Sequence, residues 1–404
     1  MPSTLPVGDP APADGSLPLS AVRELQDGTA FGIYVHVPFC ASRCGYCDFN
    51  TYTATELGGG GAQQEFPAMV LEEVALAARV LGDAAPPVDT VFFGGGTPTM
   101  LGPRDLGRIL EAIERTFGLS SDAEITTEAN PESVSPDSLR SLRDAGFNRI
   151  SLGMQSVAPH VLELLDRRHT PGRAVAAARE AKDAGFANVN LDLIYGTPGE
   201  RPEDFAASLD AAISAGVDHV SAYSLIVEAG TRFAARVHRG EIADTDDDVA
   251  ADRYLAAEER LAAAGFAWYE VSNWARSPED TCRHNLGYWR GGHWWGFGPG
   301  AHSHVGGVRW WNVKHPSAYA GRLADKTSPA YARELLTAEE RHVEEVMLRL
   351  RLSEGLPLRR LADAERSAAD QAVADGLLHY ESDRAVLTLR GRLLADGVIR
   401  DLLT

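Results

Sequence analysis

The chain has 404 residues and a net charge of −19, from 38 Lys and Arg against 57 Asp and Glu. This length allows two or three folding units, and the acidic balance disfavours a surface that neutralises nucleic-acid phosphates. No run approaches the roughly 18 consecutive apolar residues of a membrane-spanning helix, and the first residues lack the charged start and apolar core of a signal peptide, so we expect a cytoplasmic protein.

Residues 1–29 are rich in Pro, Gly, Ala and Ser without apolar periodicity, which predicts a flexible tail. From residue 30 to about 240, short apolar and β-branched runs alternate with helix-like segments. The predicted strands contain GIYVHV, DTVFFGGG, EITTEAN, RISLGMQS, NVNLDLIYG and DHVSAYSLI. The predicted helices are Phe66–Leu81, Arg104–Phe117, Pro136–Ala145, Pro171–Ala184 and Pro202–Ala215. This order predicts an α/β fold with a parallel sheet; six units fit a partial (β/α)6 barrel better than a complete eight-unit barrel, with a doubly wound open sheet as the alternative.

The alternation of strands and helices ends before residues 241–330. This segment holds a group of histidines and all seven tryptophans, which lie between Trp268 and Trp311. We expect this segment to cap the barrel. Residues 331–404 open with Thr337 and Glu340 in capping-box spacing. Val343, Val346, Met347 and Leu350 follow on one helical face, and two short strands flank a Ser-Asp-Arg turn. This order predicts a separate, mainly helical, winged-helix-like domain, for which the net charge disfavours DNA binding.

The strongest motif is Cys40-Ala-Ser-Arg-Cys44-Gly-Tyr-Cys47, a CxxxCxxC arrangement directly after a predicted strand. Three thiolates on one loop can hold three irons of a 4Fe-4S cluster and leave the fourth iron open. The alternatives are a zinc knuckle and three incidental buried thiols. Zinc normally takes four ligands, and no nearby second pair of ligands completes the set, so the motif favours the cluster.

Polar residues or glycines stand at the carboxyl ends of successive predicted strands. In barrels of this type the loops at those ends build the active site, so we expect these residues to converge on one mouth. Each alone is also typical of a turn glycine or a helix cap. They are Gly94-Gly95-Gly96-Thr97-Pro98, Glu128, Gln155, Asp192 and Ser224.

With these motifs the sequence resembles the radical S-adenosylmethionine (SAM) superfamily over most of residues 31–310. The resemblance implies that SAM chelates the open iron of the cluster and that electron transfer yields a 5′-deoxyadenosyl radical. It also implies a set of SAM-binding residues. These are Tyr34, Gly95, Gly96, Thr97, Glu128, Gln155, Arg167 and Asp192. Arg168 is the alternative to Arg167, but the R-x-H spacing of Arg167-Arg168-His169 favours Arg167.

The segments YVHVPFC, GGGTPT, TxEANP and SLGMQS are similar to those of one branch of this superfamily. That branch contains oxygen-independent coproporphyrinogen III oxidases and HemW-type haem chaperones. The oxidase pattern has a fourth cysteine two residues after the triad, where this chain has Phe49. The oxidases also have a long ordered N-terminal arm, where this chain has a predicted tail. Both differences favour the chaperone.

A third difference is His284-Asn285-Leu286-Gly287-Tyr288-Trp289, which matches the HNxxYW signature of the chaperones. The resemblance therefore implies haem contacts from His284, Asn285, Tyr288 and Trp289. Imidazole can ligate haem iron and aromatic rings can cover a porphyrin, while five Arg and Lys against two acids between residues 276 and 314 suit propionates. The alternative is a structural histidine beneath a cap of aromatic residues. For Cys282 we prefer a small buried residue over a haem thiolate.

The sequence therefore predicts a haem chaperone that binds a 4Fe-4S cluster, SAM and haem and delivers haem to target proteins. The alternative is radical decarboxylation of coproporphyrinogen III, since the radical machinery looks complete; a radical methyltransferase is a weaker third hypothesis. No catalytic residue is assigned. The expected partners are haem and haem-accepting proteins, without nucleic acid, and both homodimerisation and docking on a membrane partner stay open.

Overall fold

The computed structural model describes residues 7–167 and 170–404, which form sixteen strands and fifteen α-helices. The strands are β1 (Asp9–Pro10), β2 (Phe31–Val37), β3 (Val88–Gly95), β4 (Leu119–Ala129), β5 (Arg149–Gln155), β6 (Asn188–Tyr195), β7 (His219–Ser224), β8 (Ala267–Glu270), β9 (Asn273–Ala275), β10 (His293–Phe297), β11 (His302–Val305), β12 (Val308–Asn312), β13 (Ala330–Leu335), β14 (Leu356–Pro357), β15 (Leu378–Glu381) and β16 (Arg384–Leu387). The helices are α1 (Leu19–Glu24), α2 (Gly61–Leu81), α3 (Pro103–Phe117), α4 (Pro136–Asp144), α5 (Pro159–Leu164), α6 (Arg173–Asp183), α7 (Pro202–Ser214), α8 (Arg232–His238), α9 (Asp247–Ala263), α10 (Arg283–Trp289), α11 (Pro316–Ala324), α12 (Ala338–Arg349), α13 (Asp363–Ala374), α14 (Leu389–Leu393) and α15 (Ala395–Leu403). In this part of the chain, no helix is both long and apolar enough to cross a membrane.

Thirteen strands form one sheet in the order β1-β13-β12-β11-β10-β2-β3-β4-β5-β6-β7-β9-β8. Strands β2 to β7 are parallel neighbours in chain order, which confirms the predicted six-unit α/β architecture. The sequence reasoning missed β10, which pairs in parallel with β2 and adds a seventh parallel strand. Antiparallel strands extend the sheet beyond both edges of this parallel run.

The helices begin and end where local chemistry dictates. In α4, the Ser135 side chain accepts a hydrogen bond from the backbone N–H of Ser138, and Pro136 occupies the first helical position, where no N–H is needed. Helix α3 starts at Pro103 and stops at Gly118, whose φ of 74° is the left-handed conformation that favours glycine. These boundaries agree with the predicted helices to within a few residues.

The two faces of the barrel strands differ in chemistry. On β7, Val220 and Ala222 are fully buried in the apolar core between sheet and helices. The alternate residues, His219 and Ser221, bond to the side chain of Asn190 on β6 inside the barrel. Because strand side chains alternate, a polar interior follows from this pattern, and it places hydrogen-bonding groups beneath the mouth of the barrel.

Residues 7–29 contradict the expectation of a flexible tail. Strand β1 pairs with β13, and Ala21 of α1 is buried against the β11–β12 turn, where a Cβ on Gly306 would lie 2.4 Å from the Ala21 Cα. Glu24 and Arg341 form an ion pair of 2.9 Å. The few apolar side chains of this segment are enough to order it, because they pack on the surface of the sheet rather than on one another.

The C-terminal residues form a separate apolar core with a three-stranded antiparallel sheet, β14-β16-β15. The predicted capping box is present, since the Thr337 side chain accepts from the Glu340 N–H and the Glu340 carboxylate accepts from the Thr337 N–H. Val343, expected on the buried face, is 39% exposed. Strand β13 belongs to the barrel sheet, so the division placed at residue 330 falls instead after Leu335.

Candidate functional site

The three cysteines Cys40, Cys44 and Cys47 lie on a loop directly after β2, and the loop is closed by backbone hydrogen bonds. The N–H of Cys40 donates to the Tyr52 carbonyl at 3.0 Å, and the N–H of Tyr52 donates to the Pro38 carbonyl at 2.7 Å. All three side chains are partly buried and unpaired with another cysteine. The loop therefore holds three thiols together at the carboxyl end of the parallel sheet.

The donor set fits an iron-sulfur cluster. Nη1 of Arg167 donates to Sγ of Cys44 at 3.3 Å, which brings a positive charge to the thiols. Burial raises the pKa of the Cys40 thiol to about 11 and also raises the pKa of Cys47, so bound metal must drive their deprotonation. Within the described ranges, no three Cys, His, Asp or Glu side chains converge on a point where one ion could sit. A cluster that takes one thiolate per iron suits such a spread-out set.

The turn Gly95-Gly96-Thr97 packs directly against the cysteine loop. The Thr97 N–H donates to the Phe39 carbonyl at 2.8 Å, and Gly95 has a φ of 109°. A Cβ on Gly96 would lie 2.5 Å from the Phe39 carbonyl oxygen and 3.0 Å from Sγ of Cys40. These glycines therefore let the backbone approach the loop and any ligand held beside it.

Two carboxylates face the interior near this turn. Oε2 of Glu128 accepts from the Gly95 N–H at 3.1 Å, and Asp192 accepts from Ser151 Oγ at 2.9 Å and from Asn190 Nδ2 at 2.7 Å. Burial, and then the charge of Asp192, raises the pKa of Glu128 to about 8, while burial raises the pKa of Asp192. Both groups are placed to accept hydrogen bonds from an amine or hydroxyl of a bound ligand.

Gln155 ends β5 in a strained backbone conformation, with a φ of 65°. Such a conformation in a residue other than glycine costs about 1–3 kcal/mol and is found at functional sites. A Cβ on Gly153 would lie 2.7 Å from Nε2 of Gln155 and 2.6 Å from Nη2 of Arg167, so the glycine makes room for both side chains. The structure thus brings Gln155 and Arg167 together beside the cysteine loop, whereas Arg168 and His169 lie outside the described residues.

Tyr34 joins the same site from β2. Its hydroxyl lies 3.0 Å from Nδ1 of His36, and Nε2 of His36 lies 2.8 Å from the carbonyl oxygen of Asn50. The Asn50 side chain donates to the carbonyl of Pro299, in the turn Gly298-Pro299-Gly300. This turn anchors the far end of the cysteine loop.

The HNxxYW segment lies directly below this site, where the ring of His284 stacks on that of Tyr34 with centroids 6.4 Å apart. His284 is 3% exposed and stacks on Phe92, with ring centroids 5.1 Å apart. Its Nδ1 is 2.8 Å from Oγ1 of Thr90 and its Nε2 is 2.8 Å from the hydroxyl of Tyr288. Burial lowers its pKa to about 3, so the ring is neutral. Both ring nitrogens are thus occupied in this conformation, inside the barrel and below the mouth.

The other residues of the segment close the floor of the barrel. Helix α10 begins where the carboxylate of Glu124 accepts from the backbone N–H of Arg283 and of His284, each at 3.0 Å. Burial raises the pKa of Glu270, and hydrogen bonds from its neighbours, among them Trp289 and Asn285, offset part of that rise. Cys282 is buried, and its Sγ lies 3.6 Å from the Glu124 carboxylate. This agrees with a small buried residue at Cys282.

One interior residue escaped the sequence reasoning. Ser224 was selected at the end of β7, but its hydroxyl points away from the barrel interior, since a Cβ on Gly196 would lie 3.8 Å from its Oγ and 3.6 Å from the Ala250 side chain. Tyr223 alternates inward after His219 and Ser221 and is 42% exposed, so its ring lines the open mouth. Counting two residues from Ser221 would have identified it.

Comparisons with known proteins identify the family of this chain. A profile described as "Radical SAM superfamily" matches residues 34–212, and one described as "HemN C-terminal domain" matches residues 336–394. A Mycobacterium tuberculosis H37Rv protein named "Heme chaperone HemW" is 59% identical over 376 residues, which is 93% of this chain and 95% of that protein. The Escherichia coli K12 protein of that name is 33% identical, over 91% of this chain and 96% of its own length.

A solved structure supports the fold independently. The structure described as coproporphyrinogen III oxidase (HemN) from Escherichia coli, a radical SAM enzyme, superimposes with a TM-score of 0.80 at 24% identity and covers 95% of this chain and 92% of its own. At this identity the likeness establishes the architecture alone. The sequence relatives decide between branches: the chain belongs to the HemW family of the radical SAM superfamily.

Proposed function

We propose that this chain is a haem chaperone that binds haem and delivers it to haem-requiring proteins. The observation that carries the proposal is the 59% identity to a protein named heme chaperone over almost the whole chain. The oxidase fold likeness is compatible with it, since one fold serves both proteins. All four cysteines are free thiols, which suits a reducing compartment, and we include a cytoplasmic location in the proposal.

Three cysteines would hold the 4Fe-4S cluster, and the residues around them would hold SAM. The backbone of Gly95 and Gly96 lies against the cysteine loop, so it can approach a ligand on the open iron. Glu128 and Asp192 would accept hydrogen bonds from the amine and hydroxyls of SAM, while Arg167 steadies the thiolates. When bound, the cluster supplies the electron that can cleave the sulfonium of SAM.

Haem binding at the HNxxYW segment needs a local rearrangement. Nε2 of His284 already bonds to the Tyr288 hydroxyl. If this nitrogen coordinated iron, that hydrogen bond would be lost. The neutral imidazole is the form that binds metal. We therefore include in the proposal that His284 would be free to coordinate haem iron only once its bond to Tyr288 opens, and that Tyr288, Trp289 and Asn285 would contact the porphyrin.

The test is anaerobic reconstitution with iron and sulfide, followed by haem titration read by visible absorbance. We expect stoichiometric haem binding by the wild type and weaker binding by His284→Ala. His293→Ala is the matched control, since His293 is also buried, in the same aromatic region but outside the motif. Equal loss of haem affinity in both variants would rule out His284 as the haem ligand.

A wild-type protein that carries the cluster but binds no haem would overturn the proposal. Coproporphyrinogen turnover under anaerobiosis would then be measured on the same preparation. Robust formation of the divinyl product would place the chain with the oxidases instead.

A further inference from the structure

A column of hydrogen bonds runs through the barrel interior from α10 to Asp192. Nδ2 of Asn190 donates to Oδ1 of Asp192 at 2.7 Å, and Oδ1 of Asn190 lies 2.8 Å from Nδ1 of His219. Nε2 of His219 lies 2.7 Å from the hydroxyl of Tyr269, which accepts from the backbone N–H of Cys282 at 3.1 Å. Cys282 is the N-cap residue that directly precedes α10.

Every bond in this column has only one consistent direction. The amide oxygen of Asn190 can only accept, so Nδ1 of His219 carries the proton. The ring is neutral, because burial, and then the charge of Arg149, lowers its pKa well below the ordinary value. Its Nε2 therefore accepts from the Tyr269 hydroxyl, and that oxygen accepts in turn from the Cys282 N–H. Four donors in series thus point toward the Asp192 carboxylate, an arrangement in which each bond polarises the next.

The column is sealed from water. Asn190, His219 and Cys282 are each no more than 3% exposed, and Tyr269 is 7% exposed. A buried polar group left without its partner costs about 1–3 kcal/mol, so each member constrains the next one closely. Ser151 Oγ accepts from Nδ2 of Asn190 at 2.6 Å and donates to Oδ2 of Asp192 at 2.9 Å. The carboxylate is thereby fixed from below, while Asp192 stays partly exposed.

We propose that His219 and Tyr269 are positioning residues for the Asp192 carboxylate, so that the helix bearing the HNxxYW segment sets the geometry of the SAM site. This rests on the proposed SAM-binding role of Asp192. In this proposal neither His219 nor Tyr269 touches SAM. Their effect passes through Asn190, and it links two regions that are far apart in the chain but joined by these hydrogen bonds.

The experiment measures the dissociation constant of SAM by equilibrium dialysis on reconstituted protein. Tyr269→Phe removes one hydroxyl from the column, and we expect about five-fold weaker SAM binding, which is about 1 kcal/mol at 1.4 kcal/mol per tenfold. Iron and sulfide content should stay at the wild-type value. His219→Phe keeps a ring but removes both nitrogens, and SAM binding should weaken there too.

The matched control is Tyr254→Phe. Tyr254 is buried to the same 7% exposure, and its hydroxyl bonds to Arg392 rather than to the column. SAM affinity should be unchanged in this variant. Equal weakening in Tyr254→Phe and Tyr269→Phe, or unchanged affinity in Tyr269→Phe, would overturn the inference.

A double variant separates positioning from general destabilisation. If the column acts through Asp192, adding Tyr269→Phe to Asp192→Asn should cause no further loss of SAM affinity. Additive losses of SAM affinity in the double variant would contradict an effect through Asp192. A wild-type protein with an intact cluster that does not bind SAM would instead refute the proposed SAM site, so the two failures are distinguishable.

Discussion

Gly96 leaves no room for a side chain beside the cysteine loop, and this predicts a specific defect in Gly96→Ala. The added Cβ would lie 2.5 Å from the Phe39 carbonyl oxygen, whereas ordinary contact begins at 3.4 Å, so the carbonyl must move by about 1 Å. That carbonyl accepts the hydrogen bond from Thr97, and Cys40 is the next residue. Overpacking of this kind costs about 1–3 kcal/mol. The equilibrium between the closed loop and other loop conformations therefore shifts roughly 5- to 150-fold away from the closed loop.

The assay is iron and sulfide per chain after anaerobic reconstitution, followed by the dissociation constant of SAM. We expect Gly96→Ala to lose cluster and to bind SAM more weakly. Gly321→Ala makes the same change in helix α11, where a Cβ meets nothing within 4 Å, so it should keep the full cluster and gain a little helix stability. Wild-type iron content and SAM affinity in Gly96→Ala would refute the steric reasoning.

Two further predictions concern the cluster ligands and a buried carboxyl. Cys40→Ser should abolish the intact cluster and its broad visible absorbance, and normal iron and sulfide in that variant would contradict the ligand assignment. For Glu73, burial raises the pKa from 4.5 to about 7. Between these two pH values the native state therefore holds a proton that the unfolded state has lost. The unfolding free energy should therefore fall as the pH rises from about 4.5 to about 7 and then level off, and Glu73→Gln should flatten this part of the profile in urea titrations at pH 5 and 8. An identical pH dependence in both proteins would rule out Glu73 as the source.

The parallel barrel and the cysteine loop could be predicted because their signals are local. Short apolar and β-branched runs, helix-like segments, and the spacing of Cys40, Cys44 and Cys47 each involve neighbouring residues. The converging residues at the strand ends followed from the same pattern, because carboxyl ends of parallel strands meet at one edge. Glu128 and Asp192 accordingly lie close enough that the charge of one raises the pKa of the other.

What could not be predicted depends on contacts between distant parts of the chain. The segment HWWGF of β10 shows no period-2 pattern and joins the sheet only because β2 offers it an edge. Residues 7–29 carry few apolar side chains, and their order comes from the surface on which they dock. The place of His284 beneath Phe92 depends on how α10 enters the barrel, and no spacing within the motif reveals that.

The parallel pairing of β10 with β2 also has a consequence for synthesis of the protein. Strand β2 leads directly into the cysteine loop, yet this neighbour and the Pro299 carbonyl that anchors Asn50 are made roughly 260 residues later. At about 5–20 residues per second, the thiols wait on the order of tens of seconds beside an unpaired strand edge. During that interval the three thiols lack their finished scaffold, so we expect any cluster to be held stably only after β10 has been made.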